Sequence, residues 1–261
     1  SFIPSNNVTI GRSKFLNIHI GQFIVTVNNN QSHKYSYGYI RNEKRLKRDF
    51  LLLPTNEKGE PDFEFMEAFI KNKEQVKLQE YNNYINQRIE EIKDFKTVVS
   101  VEEKEWKEFI ISELFETRIG KNIDGNKIDK SKGKTPYITR KEINNGLDGF
   151  VNHELDYLNN NYPVITIGNE TAEPFVQKYS FYTGTKVNIL KPKRSISEMS
   201  LSFIATSLRK HKSKYSYSFT INSTRLKKQK IILPVDNLKE PDYNYMENYM
   251  KQLEYKKLKE Y

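Results

Sequence analysis

Between Asp62 and Lys93 the apolar residues Met66, Phe69, Ile70, Leu78, Tyr81, Ile85, Ile89 and Ile92 recur mostly at steps of three and four. That spacing gathers them on one face of a helix. It predicts a single helix of about 30 residues, roughly 45 Å long at the α-helical rise. Glu60-Pro61-Asp62 precedes it, with proline suited to a first helical turn and Asp to the positive end of the dipole. Glu240-Pro241-Asp242 announces a second helix, with Met246, Tyr249 and Met250 on its apolar side. Such length favours coiled-coil-like packing of the two helices on each other, the alternative being that each stripe packs on its own domain. Short apolar runs at Phe50–Pro54, Pro136–Thr139, Pro163–Ile167, Lys186–Leu190 and Ile231–Pro234 predict strands. Glycines 146, 149, 168 and 184 mark turns between them. Glu198–Leu208 predicts a helix, and Asn222-Ser223-Thr224 a capped helical turn leading into Arg225. Val98–Val101 is a linker, after which Trp106 begins a domain of mixed α and β structure.

The chain repeats itself. Lys34-Tyr35-Ser36-Tyr37 returns as Lys214-Tyr215-Ser216-Tyr217, Arg45-Leu46-Lys47 as Arg225-Leu226-Lys227, and Glu60-Pro61-Asp62 as Glu240-Pro241-Asp242, all displaced by 180 positions. Across Lys34–Tyr81, 21 of 48 positions match their partners without a gap. A period this long denotes a duplicated domain rather than a solenoid. The first copy is shorter. Gln22–Thr26 corresponds to Ser202–Thr206 and Val8-Thr9-Ile10 to Val187-Asn188-Ile189, so the chain is expected to start in the middle of its first domain. The expected organisation is an incomplete domain over 1–60, a long spacer helix over 61–98, a second domain over 99–240 and a second spacer helix over 241–261.

Charge then bears on function. The 261 residues carry a formal charge of +10, and the basic residues cluster. Eight lysines and arginines lie between Ala205 and Lys230 with no acid among them, and eight more between Arg118 and Asn145 against three acids. Clustering favours an anionic partner over a merely lysine-rich surface. The absence of cysteine excludes disulfides and thiolate metal sites. No apolar run approaches 18 residues and Ser1–Ile10 has no signal-peptide pattern, which predicts a cytoplasmic protein without membrane spans.

Catalytic patterns are missing. His19, His33, His153 and His211 have no metal-ligand spacing, and there is neither a glycine-rich phosphate loop nor a Gly-x-Ser-x-Gly elbow. No metal, cofactor or catalytic residue is expected. The Pro-Asp pairs at 61 and 241 lack the Glu-x-Lys of a nuclease site and are better explained as helix starts. Nucleic-acid contacts fit what remains. Lys121, Lys134, Lys141, Arg209, Lys210, Lys212 and Lys214 are candidates for phosphates. Arg140, Asn144, Asn145, Asn169, Asn222 and Arg225 offer polar groups, several able to make paired hydrogen bonds with base edges. Tyr215 and Tyr217 bring rings and hydroxyls into the basic stretch for stacking or phosphate contact, with core packing an equal alternative.

Several of these segments are familiar together. Glu105-Trp106-Lys107-Glu108-Phe109, Leu114-Phe115, Gly120-Lys121, Pro136-Tyr137-Ile138, Ile165–Asn169, Phe181–Val187 and the Arg225…Leu233-Pro234 block resemble the target-recognition domains of specificity subunits from type I restriction–modification systems and their type IIB, BcgI-like relatives. The resemblance implies an α+β fold, with target-recognition domains of mixed α/β structure joined by long amphipathic helices that pack as an antiparallel coiled coil. It implies a non-catalytic subunit in which each domain reads half of a split target in double-stranded DNA. The long helices would dock a methyltransferase (modification) subunit, with a restriction subunit and self-association as further partners. A fragment of a fused restriction–modification enzyme and a basic RNA-binding or oligomeric scaffold protein are the competing readings.

Overall fold

A computed structural model describes residues 8–215 and 219–260. The chain divides into two units, Ser1–Arg88 and Ile89–Tyr261. In the first, Asn17 caps helix α1 (Ile18–Asn29) by accepting from the amide of Ile20, and Asn42 caps the short α2 (Glu43–Leu46) through the amide of Arg45. Helix α3 (Phe63–Ile92) has the predicted length, 30 residues. Its cap is Asp62, whose carboxylate accepts from the amide of Phe65 at 2.8 Å. Proline therefore stands just before the cap rather than in the first turn. An edge-to-face contact of Phe23 with Phe69, 5.8 Å between ring centres, joins α1 to α3. Met66 of α3 is fully buried.

Three expectations for the first unit fail. Phe50–Pro54 is not a strand. Among the described residues of this unit no strand lies beside it to satisfy its backbone, and Leu52 is left 90% exposed. Val8–Ile10 forms no strand either: these residues are exposed and pair with no strand among the described residues. The structural repeat keeps the 180-residue offset, with α1 aligning with Glu198–Arg209 residue for residue. The stripe of α3 is not one buried face. Met66, Ile85 and Ile92 are buried and Ile70 and Ile89 half-buried, but Phe69, Leu78 and Tyr81 are exposed, as is every residue from 71 to 84.

The second unit contains β1 (Trp106–Ile110), α4 (Ile111–Leu114), β2 (Phe115–Ile119), β3 (Thr135–Ile138), β4 (Leu147–Val151), β5 (Val164–Gly168), β6 (Pro174–Gln177), β7 (Tyr182–Thr183) and β8 (Val187–Pro192). Helices α5 (Glu198–Arg209) and α6 (Ser223–Lys228), strand β9 (Lys230–Pro234) and helix α7 (Tyr243–Lys259) complete it. Strand β9 pairs antiparallel with β1, Trp106 opposite Pro234. A four-stranded antiparallel sheet runs β2-β8-β5-β6, and a three-stranded sheet runs β4-β3-β7, with β3 and β7 parallel. All five residues of β5 are buried, which explains why its sequence, Val164-Ile165-Thr166-Ile167-Gly168, is apolar but for Thr166, whose hydroxyl accepts from Gln177 Nε2 at 2.9 Å.

The main core gathers Ile111, Phe115, Ile165, Leu190 and Leu226 with Leu201 and Ile204 of α5 and Met246 of α7. Helix α5 buries seven of its twelve residues, the wide apolar face expected of a helix laid across a sheet. Ser200 ties it to α7 by donating to the carbonyl of Tyr243 at 2.9 Å. Tyr249 and Met250 of α7 flank this core half-buried. Asp242 caps α7 through the amide of Tyr245, as Asp62 caps α3.

Candidate nucleic-acid interface

Strand polarity brings one set of loops to one end of the second unit. Gly120 donates to the carbonyl of Val187 at 3.0 Å, Gly184 to that of Ile138 at 2.8 Å, and Gly168 pairs with Val187. The turns that follow β2, β3, β5 and β7 therefore emerge together. The segment before α6 joins them, since the amide of Ile221 donates to the carbonyl of Asn169 at 2.9 Å. Close approach of two loops here requires Gly168: a Cβ at that position would lie 2.9 Å from the Cα of Arg140.

The loop from β3 to β4 is the most constrained. Asn144, Asn145 and Gly146 all have left-handed backbones, with φ of 53°, 55° and 74°. Asparagine and glycine are the residues that enter this region at least cost. Asn145 is held by its neighbours: its amide nitrogen donates to Gln177 Oε1 at 3.3 Å, and Gln177 Nε2 donates back to its carbonyl at 3.1 Å. Asn144 at the tip is exposed, and its side chain has no hydrogen bond among the described residues. Exposed Ile143 stands beside it.

Carboxylates brace this end. Glu170 pairs with Arg140, and Asp148 accepts from Lys141 at 2.5 Å and Lys130 at 2.8 Å. Glu173 pairs with Arg209 and, at 2.9 Å, with Lys212, which also reaches Glu142 at 2.9 Å. Burial works against the charged forms of Glu173 and Asp148, but the hydrogen bonds from their paired cations outweigh it and hold both carboxyls below the ordinary range.

The candidate residues thus separate. Lys121, Arg140, Lys141, Asn144, Asn145, Lys212, Asn222 and Arg225 belong to the converging loops and the segment docked on them. Lys134 precedes β3 and lies at the far end of that strand. Lys210 ends α5 and lines an apolar groove of about 630 Å³ with Trp106, Phe203, Tyr249 and Met250. Arg209 is spent on Glu173 and the carbonyl of Pro174. Asn169 is buried, its amide meeting that of Asn188, which also donates to the carbonyl of Ile221 at 3.1 Å. Its role in this fold is to join β5, β8 and the segment before α6. Asn222 caps α6 by accepting from the amide of Arg225 at 2.9 Å. Tyr217 lies outside the described residues.

Beside this end, a cleft of about 510 Å³ is lined by His211, Lys214, Tyr215, Phe219, Arg225 and Lys228, among others. The rings of Tyr215 and Phe219 stack with 6.1 Å between centres. The Arg225 guanidinium lies 4.0 Å from the centre of Phe219 and donates to the carbonyl of Thr220 at 2.7 Å. Tyr215 is half-buried and donates its hydroxyl to Gln229 at 2.6 Å, so it packs on the core and also opens on the cleft. Burial and the nearby Lys214 ammonium push the His211 imidazole below its ordinary pKa. Phe219 and the bracing acids were not among the residues singled out from sequence. The repeat carried a signal for the former, since position 39 holds another aromatic, Tyr39.

Among the described residues no group of His, Cys, Asp and Glu is arranged to hold a metal ion, and no helix is long and apolar enough to cross a membrane.

The type I restriction modification DNA specificity domain family matches residues 103–260. The type II restriction enzyme BcgI specificity subunit of Heyndrickxia coagulans is 49% identical over 146 residues, which are 56% of this chain and 42% of that protein. The chain thus spans less than half the length of this curated relative. The crystal structure of the type I restriction–modification S subunit from M. genitalium superposes with a TM-score of 0.52, covering 94% of this chain and 67% of the other at 14% identity, which shows a shared fold. With the family's domain spanning both the braced loop end and the cleft, the chain belongs to the type I restriction modification DNA specificity domain family.

Proposed function

We propose that this protein is the sequence-specificity component of a restriction–modification complex. It reads double-stranded DNA through the loop end of its second unit and leaves methyl transfer to a separate subunit. The observation that carries this reading is the coincidence of the family's domain, residues 103–260, with the unit that presents the cation-rich loops. Lys121, Lys214, Lys227 and Lys228 are exposed cations there for which no ion pair to a carboxylate stands among the described residues. Such cations bind phosphates by releasing condensed counterions, whereas base edges are read by oriented amides and guanidinium groups on rigid loops.

The long helices carry the partner side of the proposal. Residues 71–84 of α3 are exposed and include Val76 and Leu78, surface that a methyltransferase subunit would cover. Packing of α3 with α7 as a coiled coil belongs to the same proposal, as do a restriction subunit in the wider complex and a cytoplasmic site of action. The test is binding of the full chain to random duplex DNA and to RNA across a salt series, with co-purification of a co-expressed methyltransferase subunit. Duplex binding that weakens steeply with salt, together with a stable complex, is expected. Equal affinity for RNA and no complex would contradict the reading.

A further inference from the structure

We propose that the DNA-facing end of the second unit is divided between two devices: the Arg225–Phe219–Tyr215 stack holds a phosphate whatever the sequence, and Asn144 at the tip of the β3–β4 loop reads a base. This rests on the DNA-recognition reading above and assigns roles within it.

The internal repeat singles out the first device. In the first unit Arg45 lies 3.8 Å from the centre of the Tyr39 ring and donates to the carbonyl of Ile40 at 2.5 Å. Tyr39 stacks on Tyr35 with 5.9 Å between centres, and Asn42 caps the short helix that carries Arg45. Each element matches the Arg225, Phe219, Tyr215 and Asn222 arrangement after 180 positions. A device that the chain repeats in both units fits a contact that does not depend on the sequence read. Its chemistry fits a phosphate. The guanidinium lies over a ring with one nitrogen engaged by a carbonyl, so its remaining N–H groups are partly pre-oriented for a bidentate acceptor. Exposed Lys214 and Lys228 line the same cleft.

The β3–β4 loop supplies the second device. Its backbone is fixed by a run of left-handed residues, by the reciprocal Asn145–Gln177 bonds and by ion pairs from Arg140, Lys141 and Glu142. The one polar side chain at its tip with no hydrogen-bond partner among the described residues is Asn144. A carboxamide presents one donor and one acceptor side by side, the complement of adenine N6 and N7 in the major groove. Exposed Ile143 adjoins it, suited to a thymine methyl.

The experiment selects binding sites for the full chain from a randomised duplex pool, then repeats the selection and a salt titration with variants. Asn144→Gly keeps the left-handed backbone at no cost and removes only the amide. It is expected to erase an adenine preference at one position, a loss of about tenfold in discrimination. Arg225→Gln is expected to weaken binding to every sequence alike and to lower the salt slope by about 1, with Arg225→Lys restoring most of the slope. A consensus untouched by Asn144→Gly shows that the asparagine serves only the turn. A changed consensus or an unchanged slope in Arg225→Gln overturns the phosphate role. If the wild-type chain yields no consensus, the recognition reading itself fails and the division falls with it.

Discussion

Lys212 stands between two carboxylates, 2.9 Å from buried Glu173 and 2.9 Å from Glu142 on the β3–β4 loop. The lysine that sequence assigned to phosphate is therefore a strut that ties the loop to the end of α5. Glu173, only 8% exposed, also holds Arg209. Its replacement by Gln would leave a guanidinium without its counter-charge. We expect Glu173→Gln to cost about 2 kcal/mol in denaturant unfolding and to loosen the loop.

The same carboxylate gives a pH signature. Glu173 and Asp148 have folded-state pKa values lowered from those of the unfolded chain. Each binds fewer protons when folded, so its contribution is complete above the unfolded value of about 4 and is lost as pH falls through the folded value. Stability should drop below about pH 4.5, and the slope should be shallower in Glu173→Gln, as urea midpoints at successive pH values would report.

Gly168 gives a steric test. A methyl group there would meet the Cα of Arg140 at 2.9 Å and Thr171 Oγ1 at 2.6 Å. Gly168→Ala should cost about 1–3 kcal/mol and should weaken DNA binding more than an exposed alanine substitution elsewhere, by displacing the loop that carries Asn144.

The repeat allows an internal control. Arg-Leu-Lys occurs in both units, but Leu226 is fully buried and Leu46 only half-buried. Leu226→Ala should cost about 2–5 kcal/mol as a core truncation, and Leu46→Ala distinctly less, in paired thermal unfolding measurements.

On α3, Leu78→Glu alters an exposed position. Stability of the isolated chain should change by no more than about 0.5 kcal/mol. If the helix is the docking surface, co-purification of the methyltransferase subunit should be lost.

Local rules made much of this fold legible. The Asp62 and Asp242 caps, the length of α3, strands β3, β5, β8 and β9 and helix α5 all follow from short-range patterns. The errors are tertiary. Phe50–Pro54 has the composition of β9 but no strand beside it among the described residues, and a strand without a partner cannot satisfy its backbone. In α3 the apolar spacing continued through residues whose burial depends on what packs against the helix. Asn169 reads as a polar loop residue until β8 and the Ile221 segment close over it. The clustering of cations was visible from composition, but which of them are neutralised depended on Glu142, Asp148, Glu170 and Glu173, whose partners are distant in sequence.

The central claim, sequence-specific recognition of duplex DNA by this chain, is tested most directly by selecting its binding sites from a randomised duplex pool at near-physiological salt. The account predicts recovery of a defined consensus bound far more tightly than random duplex, with affinity falling as salt rises. A pool that stays random after repeated rounds, or binding indifferent to salt, would contradict it.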